Sequence, residues 1–422
     1  MMIKIYKFKG QGGLKKLEKV LDKRRIYQNK NLPIVSTILR EIKKNKNKAI
    51  LKYEKKYSDN NLIKPTKTEI KKAIRSLDPK IKKAIDYAYK RIFKYHSFQK
   101  LKSIDFKDKL NNRFQYKYFP INKIGIYVPA NLPSTLLMNA IPAKIAGVKK
   151  IILANPRLNE KLNPAVMYVA RKLGIKEIYS IGGAQAIGSL AYIQKVDKII
   201  GPGNLYVAKA KKEVFGDVGV EGMVAGPSEI TVVADKDSEI NSVITSLIGQ
   251  AEHDINSQSI LISKNLKLLK EVNKLIKENL KKIHREKIAK KSLKKNGLLI
   301  HATNDKNIIE IINLIAPEHL ELNILKPKKY LNKIVNAGSI CVGKFSAMAV
   351  TDYNAGTNHV LPTMGSARFS SGLNVTDFYK KISYINLSKK GIEVIGKKAI
   401  TLAEYENLEG HAQSIKSRIR SS

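Results

Sequence analysis

The sequence predicts an α/β protein of two Rossmann-like halves, each an incomplete parallel sheet, with helical N-terminal and C-terminal extensions. Three observations predict it. From residue 124 onward, short apolar runs alternate with stretches of helical apolar spacing, the pattern of parallel strands wrapped by helices. The links between them are short and punctuated by Gly and Pro. The alternation comes in two sets of similar grammar, 124–201 and 229–342, as two related units would produce.

In chain order, residues 1–120 read as helices with little site chemistry. Residues 34–57 and 67–98 carry apolar residues at helical spacing among lysines, with Ser36 and Thr66 as candidate N-caps and Pro65 in the link. Residues 124–128, closed by Pro129, form a buried strand. Helix 136–148, strand 150–155, helix 163–173, strand 177–181, helix 184–193 and strand 196–201 follow. The second set runs strand 229–234, helix 240–251, strand 257–263, helix 266–282, strand 297–301 and helix 306–315, then strands 320–324 and 338–342. Beyond Leu373 the pattern turns helical and ends in a polar, basic tail. The expected organisation is an arm at 1–22, a first Rossmann-like domain from 23–118 plus 229–372, a second at 119–228, and a C-terminal helical segment at 373–422.

Composition narrows the function classes. At 422 residues and 43% hydrophobic content the chain can bury two cores. Residues 1–9 alternate apolar residues with lysines and build no secretory h-region, and no apolar run reaches bilayer length. A single cysteine, Cys341, excludes an intrachain disulfide and fits a reducing cytoplasm. The net charge of +44 raises nucleic-acid binding as a function. That charge is mostly Lys, spread through Ile- and Asn-rich helices, with no aromatic-interleaved platform. Solvated helix faces are therefore the preferred reading, with neither nucleic acid nor membrane as a partner.

Several constellations carry chemistry. Gly182-Gly183-Ala184-Gln185 and Gly201-Pro202-Gly203-Asn204 each follow a strand and open a helix, where bare amides can approach a phosphate. Neither is the G-x-G-x-x-G fingerprint, and ordinary β-α turn chemistry explains the spacing equally well. Gln185 and Asn204 offer hydrogen bonds to an amide or ribose. Gln250 and His253, at i and i+3, share a helix face. Together with Asp352 and His411 they make a donor set suited to a borderline divalent ion such as Zn²⁺, although for any one of them a structural polar contact is the simpler reading. Glu318-His319, after Pro317, pairs a carboxyl with an imidazole for proton transfer, against the bland reading of a solvated pair. Cys341 lies in an apolar run and reads as a core residue in preference to a nucleophile.

Taken together, these segments resemble histidinol dehydrogenases. The resemblance rests on Tyr127-Val128-Pro129, residues 137–147, Gly182 to Ala186, residues 196–204, Ala225 to Glu229, Gln250 to His253, residues 316–322 and 337–340. It continues through Asp352-Tyr353, residues 358–363 and 367–373, and the terminal 402–411. These runs keep their order over most of the chain after Tyr118. The resemblance implies an NAD-dependent, zinc-dependent, four-electron oxidation of L-histidinol to L-histidine through the aldehyde, the last step of histidine biosynthesis. It implies one Zn²⁺ per subunit on Gln250, His253, Asp352 and His411, and cofactor contacts at Tyr127, Gln185 and Asn204. Substrate contacts fall on Ser228, Gln250, His253, His319, Asp352, His359, Glu406 and His411, with Glu318 and His319 as the proton-transfer pair. It further implies a homodimer whose C-terminal segment reaches into the partner's site. The chain departs from the family pattern in shortened links after Pro129 and Ala191, both near the cofactor loops, and in Met364, where Gly is usual. Two readings from other classes compete with this one. A basic binding protein on the same scaffold predicts salt-dependent duplex binding, and a dehydrogenase for another amino alcohol predicts a different substrate panel.

Overall fold

A computed structural model describes residues 3–8, 10–25, 32–221 and 226–420. The N-terminal region supplies strand β1 (Lys4–Lys7) and helices α1 (Gly10–Arg25), α2 (Pro33–Asn45), α3 (Asn47–Ser58), α4 (Lys67–Arg75) and α5 (Pro79–Ser97). The helix expected at 34–57 is two helices, because Lys46 takes a left-handed φ of 50° and breaks the run. Ser36 is not a cap: α2 begins at Pro33, and the Ser36 hydroxyl donates to Glu213 at 2.9 Å. Thr66 does cap α4, accepting from the amide of Glu69 at 3.1 Å. Residues 67–98 also divide, with Asp78 accepting from Lys80 N–H at the start of α5.

Strands β2 (Ile104–Lys107) and β3 (Arg113–Pro120) follow, in a stretch expected to be helical. The next unit runs β4 (Lys123–Tyr127), α6 (Pro133–Ala146), β5 (Lys150–Ala154), α7 (Pro164–Lys172), β6 (Glu177–Tyr179), α8 (Gly183–Gly188), β7 (Lys198–Ile200), α9 (Leu205–Val214) and β8 (Gly219–Val220). The shortened link after α8 is one wide turn, closed by Gln194 N–H to the carbonyl of Ser189 at 2.8 Å. The third region runs β9 (Glu229–Ala234), α10 (Ile240–Ala251), β10 (Gln258–Ser263), α11 (Leu266–Leu280), α12 (Glu286–Asn296), β11 (Leu298–His301), α13 (Asp305–Ile315), β12 (His319–Asn323), α14 (Lys328–Leu331), β13 (Ser339–Val342) and α15 (Met348–Tyr353). The chain ends with β14 (Tyr379–Asn386), α16 (Lys389–Tyr405) and α17 (Glu409–Arg420).

These strands build a five-stranded parallel sheet in the order β6-β5-β4-β7-β8 and a six-stranded parallel sheet in the order β1-β11-β10-β9-β12-β13. A three-stranded antiparallel sheet, β14-β3-β2, joins the two ends of the chain. The α/β class with two parallel sheets therefore holds, and the antiparallel sheet is a correction. Residues 104–120 and 379–386 form strands although both extensions read as helical. β3 and β14 are long, Tyr- and Lys-rich strands that stabilise each other only across some 260 residues of sequence, so no local signal marks them. The N-terminal arm also differs from expectation, since β1 completes the edge of the six-stranded sheet beside β11.

Core packing assigns the N-terminal helices to one sheet. Val35, Ile38 and Ile42 of α2 pack with Ile152, Ile187 and Ile199. Ile85 and Ile92 of α5 pack with Ile124, Leu137 and Ile141. Helices α2–α5 thus cover the five-stranded sheet, whereas the expected organisation grouped 23–118 with 229–372. Their lysines lie outside this apolar seam, on the solvated faces. Among the described residues no helix is long and apolar enough to cross a membrane.

Each parallel sheet reverses its strand order once, between β4 and β7 in one and between β9 and β12 in the other. Such reversals open crevices at sheet edges, where connections leave in opposite directions. Two backbone positions there carry opposite expectations. Gly201, after β7, has a φ of 108°, and a Cβ on it would stand 2.0 Å from the carbonyl oxygen of Tyr127. Gly201→Ala is expected to lower unfolding free energy by about 3 kcal/mol, read by urea titration, because strain and overlap coincide. Met364 holds a φ of 59° with a full side chain. Met364→Gly is expected to raise the same free energy by about 1 kcal/mol, and a loss of that size would show the left-handed strain to be negligible.

Candidate active site

The acid–base pair is placed by a turn and a strand register. Helix α13 ends at Ala316, left-handed with a φ of 49°, and Pro317 prevents its continuation. Glu318 follows, and His319 opens β12, paired with Ile230 of β9 and Ser339 of β13. Glu318 Oε2 accepts from the backbone N–H of Glu229 at 2.7 Å, locking the start of β12 to the start of β9. Both side chains line a cavity of about 230 Å³. The solvated reading of the pair is excluded, since Glu318 is 5% and His319 is 3% exposed.

The cavity gathers residues from both sheets. Leu132 and Pro202 come from loops at the C-terminal edge of the five-stranded sheet, and Ser134 and Thr135 from the first turn of α6 beside them. Ser228, Glu318 and His319 come from the N-terminal edge of the six-stranded sheet. Gln250, in the last turn of α10, and His253 beyond it line the same space, as their i, i+3 spacing predicts. Asp352, on α15, and His359 complete the wall. The sequence-predicted Ser228, Gln250, His253, Glu318, His319, Asp352 and His359 are thus brought together.

Burial sets their charge states. It raises Glu318 well above the usual carboxyl range, opposed by the Glu229 amide and assisted by the charges of Glu229 and Asp352. Burial also raises Asp352, to about 7. Desolvation lowers His319 to about 3, and His359 and His253 push the same way. His359 is lowered to about 4 by burial, although its Nδ1 donates to the Asp352 carbonyl at 2.7 Å. That bond fixes the tautomer and leaves Nε2 of His359 with a lone pair. His319 is a neutral base: Nδ1 has no hydrogen-bond partner among the described residues, and Nε2 stands 3.8 Å from Glu318 Oε1 and 3.9 Å from Asp352 Oδ1. His253, at the exposed mouth, is also lowered by the dense protein around it.

The donor set fits a divalent ion. Gln250 is 1% exposed, yet among the described residues neither its Oε1 nor its Nε2 has a hydrogen-bond partner. An amide buried and unpartnered in this way is costly unless a ligand satisfies it. Beside it the cavity offers the imidazole of His253 and the carboxyl of Asp352, so amide oxygen, nitrogen and carboxyl oxygen converge from one chain. Among the described residues no three His, Cys, Asp or Glu side chains stand together to hold a metal. The fourth predicted ligand, His411, is exposed on α17, and Glu406 is exposed just after α16. Among the described residues neither of these two lines the cavity of its own chain.

The predicted cofactor residues fall elsewhere. Gln185 and Asn204 line a second cavity of about 540 Å³ with Ile34, Tyr57 and Tyr206. Asn204 caps α9, its Oδ1 accepting from Tyr206 and Val207 N–H at 3.1 Å each. Tyr127 is buried at the end of β4, where its hydroxyl meets the backbone of Gly183, and it lines neither cavity among the described residues. The glycine loop does not offer the bare amide expected of it. Glu54 of α3, fully buried, accepts from Gly182 N–H at 2.9 Å and from Gln185 Nε2 at 2.8 Å through one oxygen. The chain's own carboxylate thus takes the first amide of the loop. Ala225, within the 225–229 run, lies outside the described residues.

Sequence reasoning missed three further acids. Glu54 carries no local signal for its place at the glycine loop, since Gly182 and Gln185 lie some 130 residues away. Glu321 accepts from Met348 N–H at 2.9 Å and so anchors the start of α15, which bears Asp352. Its signal was available: an acid two residues beyond His319 in an apolar strand lies on the same face. Glu221 is buried in the cavity wall. Cys341, in contrast, is the core residue expected, with burial pushing its thiol up to about 12.

Two α/β units that close a buried acid–base pair and a metal-type donor set into one cavity define an α/β enzyme built for proton transfer on a small polar substrate. Comparison with known proteins gives the particular family. Residues 21–419 match the family model described as histidinol dehydrogenase. The histidinol dehydrogenase of Pelagibacter ubique is 57% identical over 426 residues, covering 99% of this chain and 100% of that protein. That of Caldanaerobacter subterraneus subsp. tengcongensis is 41% identical, covering 99% of each. The crystal structure of histidinol dehydrogenase from Elizabethkingia anophelis superposes with a TM-score of 0.92 at 35% identity, covering 99% of this chain and 98% of that one. The chain belongs to the histidinol dehydrogenase family. As a member it is an NAD-dependent oxidoreductase of histidine biosynthesis, converting histidinol to histidine.

Glu54 supplies a test of the loop's architecture. Glu54→Ala strands the Gly182 amide and the Gln185 side chain, and is expected to cost about 3 kcal/mol of stability, while Glu54→Gln recovers more than half. Equal losses for the two variants, measured by chemical denaturation, would show that packing and not hydrogen bonding holds the loop.

Proposed function

We propose that this chain performs both oxidations of L-histidinol, alcohol to aldehyde and hydrated aldehyde to carboxylate, with two NAD consumed per L-histidine. The supporting observation is the convergence of a desolvated Glu318–His319 pair with the unpartnered amide of Gln250, His253 and Asp352 on one cavity. Gln250, His253 and Asp352 would hold one zinc ion, completed by the partner subunit's His411 in a homodimer. A zinc ion held there would supply Lewis-acid orientation of the substrate, and NAD would supply the hydride acceptor.

The residues of the chain do the remaining work. His319, neutral because it is buried, takes the hydroxyl proton through a ring nitrogen. Glu318, in its carboxylate form a stronger base for being buried, orients the water that adds to the aldehyde and takes its proton, and His319, its first proton passed to solvent, receives the hydroxyl proton of the hydrate as the second hydride leaves. His359, locked by the Asp352 carbonyl, presents Nε2 as a fixed acceptor to the substrate. Ser228 offers a hydroxyl from the start of β9. Closure of the cavity by two sheets keeps the aldehyde from escaping between steps.

Support for exchange of the C-terminal segment comes from its surface. Glu406 and His411 are exposed beside Leu402 at 63% and Tyr405 at 86%, an apolar face suited to burial against a second copy. The residues proposed for the cofactor are Gln185 and Asn204, with Tyr127 supporting the glycine loop from beneath. A reducing cytoplasm suits the buried thiol of Cys341.

Two measurements test the reading. His319→Asn is expected to lower kcat by about 10²- to 10⁴-fold with zinc content unchanged, and undiminished turnover would remove His319 from the role of base. Chelation is expected to abolish histidinol-dependent NADH formation, with Zn²⁺ restoring it. Two NADH should then appear per histidinol; a ratio of one would place the second oxidation on another protein.

A further inference from the structure

Glu221 is a buried acid in the cavity wall to which neither the proton transfers nor the metal set gives a role. It is 7% exposed and follows directly on β8. Its Oε1 accepts from Nζ of Lys211, itself 4% exposed, and the same ammonium donates to the carbonyl of Gly201. Lys211 therefore ties the loop after β7 to the segment leading into Ser228. The other oxygen, Oε2, is buried and has no hydrogen-bond partner among the described residues. An ion pair needs only one carboxylate oxygen, and leaving the second dry costs about 1–3 kcal/mol. A donor arriving in the cavity recovers that loss.

The position and charge of Glu221 indicate which donor. It lines the cavity together with Leu132, Thr135 and Pro202, on the side built by the five-stranded sheet, whereas Glu318, His319, Gln250 and Asp352 belong to the other side. Lys211 neutralises the carboxylate, so the pair presents an acceptor without net charge, which favours a neutral N–H or O–H over an ammonium ion.

We propose that Glu221 is a cofactor-binding residue, its Oε2 accepting a hydrogen bond from the nicotinamide nucleoside of NAD. The donor is the carboxamide N–H or a ribose hydroxyl. This rests on the NAD-dependent reading above and adds to it the residue that seats the reactive ring. The Lys211 bridge sets the height of that acceptor relative to the Gly201 loop, so the pair acts as one positioning unit.

Glu221→Gln tests it with little change of shape. The amide oxygen stays with Lys211, and an N–H₂ replaces Oε2, setting donor against donor. KM for NAD is expected to rise tenfold or more with KM for histidinol and zinc content unchanged, while the thermal midpoint falls because the buried Lys211 ammonium loses its counter-charge. The wild-type enzyme supplies a second arm that needs no variant. An NAD analogue with acetyl in place of the carboxamide, and analogues lacking one nicotinamide-ribose hydroxyl, remove the donors one at a time. One of them should lose about tenfold in kcat/KM with wild type and little with Glu221→Gln, which identifies the donor. An unchanged KM for NAD in Glu221→Gln overturns the assignment, as does a rise confined to KM for histidinol. So do analogue penalties that are equal in both enzymes. A wild-type enzyme that forms no NADH from histidinol sinks the functional reading itself, and this inference with it.

Discussion

The hydrogen bond from Glu229 N–H to Glu318 Oε2 is the interaction on which the site depends. It joins the first residue of β9 to the residue just before β12, and the register of these adjacent parallel strands then fixes His319 opposite Ile230. A buried carboxyl with one strong donor is held in place but still desolvated, so its proton affinity rises while its position does not drift. His319, next in the chain, shares the same dry edge and loses its affinity for a proton for the same reason. Opposite shifts in adjacent residues thus arise from one cause, the removal of water from a sheet edge.

The rest of the molecule keeps that edge closed. The cavity forms where the C-terminal edge of the five-stranded sheet faces the N-terminal edge of the six-stranded one, so loops of one unit cover strand starts of the other. The crevice rule for doubly wound sheets holds for the first unit only. In the second, the chemistry sits at the opposite edge, where α10 ends at Gln250 and Glu321 anchors α15. Buried acids recur as fasteners in this design: Glu54 under the glycine loop, Glu321 under α15 and Glu318 between strands. Each accepts a backbone N–H, and a backbone amide makes a partner that substitution at its own position does not remove, proline excepted.

Much of this was legible in residue order. The two parallel sheets followed from alternating periods of apolar residues, because a strand buried on both faces and a helix with one apolar stripe leave distinct local patterns. Gln250 and His253 were legible as a pair because helical geometry acts over three residues. The antiparallel sheet was not legible: β3 and β14 lie some 260 residues apart in the chain, and their Tyr-Lys alternation has no meaning until they meet. Nor was the division of 34–57, where a single left-handed Lys46 breaks an otherwise helical pattern.

Local order in the sequence determined the elements, the caps such as Thr66, and the identity of the chemically capable side chains, since propensity and spacing act between near neighbours. Only the tertiary structure decided which of those side chains share a cavity, and which stand apart, as Glu406 and His411 do in this chain. It alone turned Glu54 from a surface-like acid in a lysine-rich helix into the occupant of the glycine loop. Desolvation is the physical reason, because charge state depends on the water removed by residues distant in sequence, and no local pattern records that.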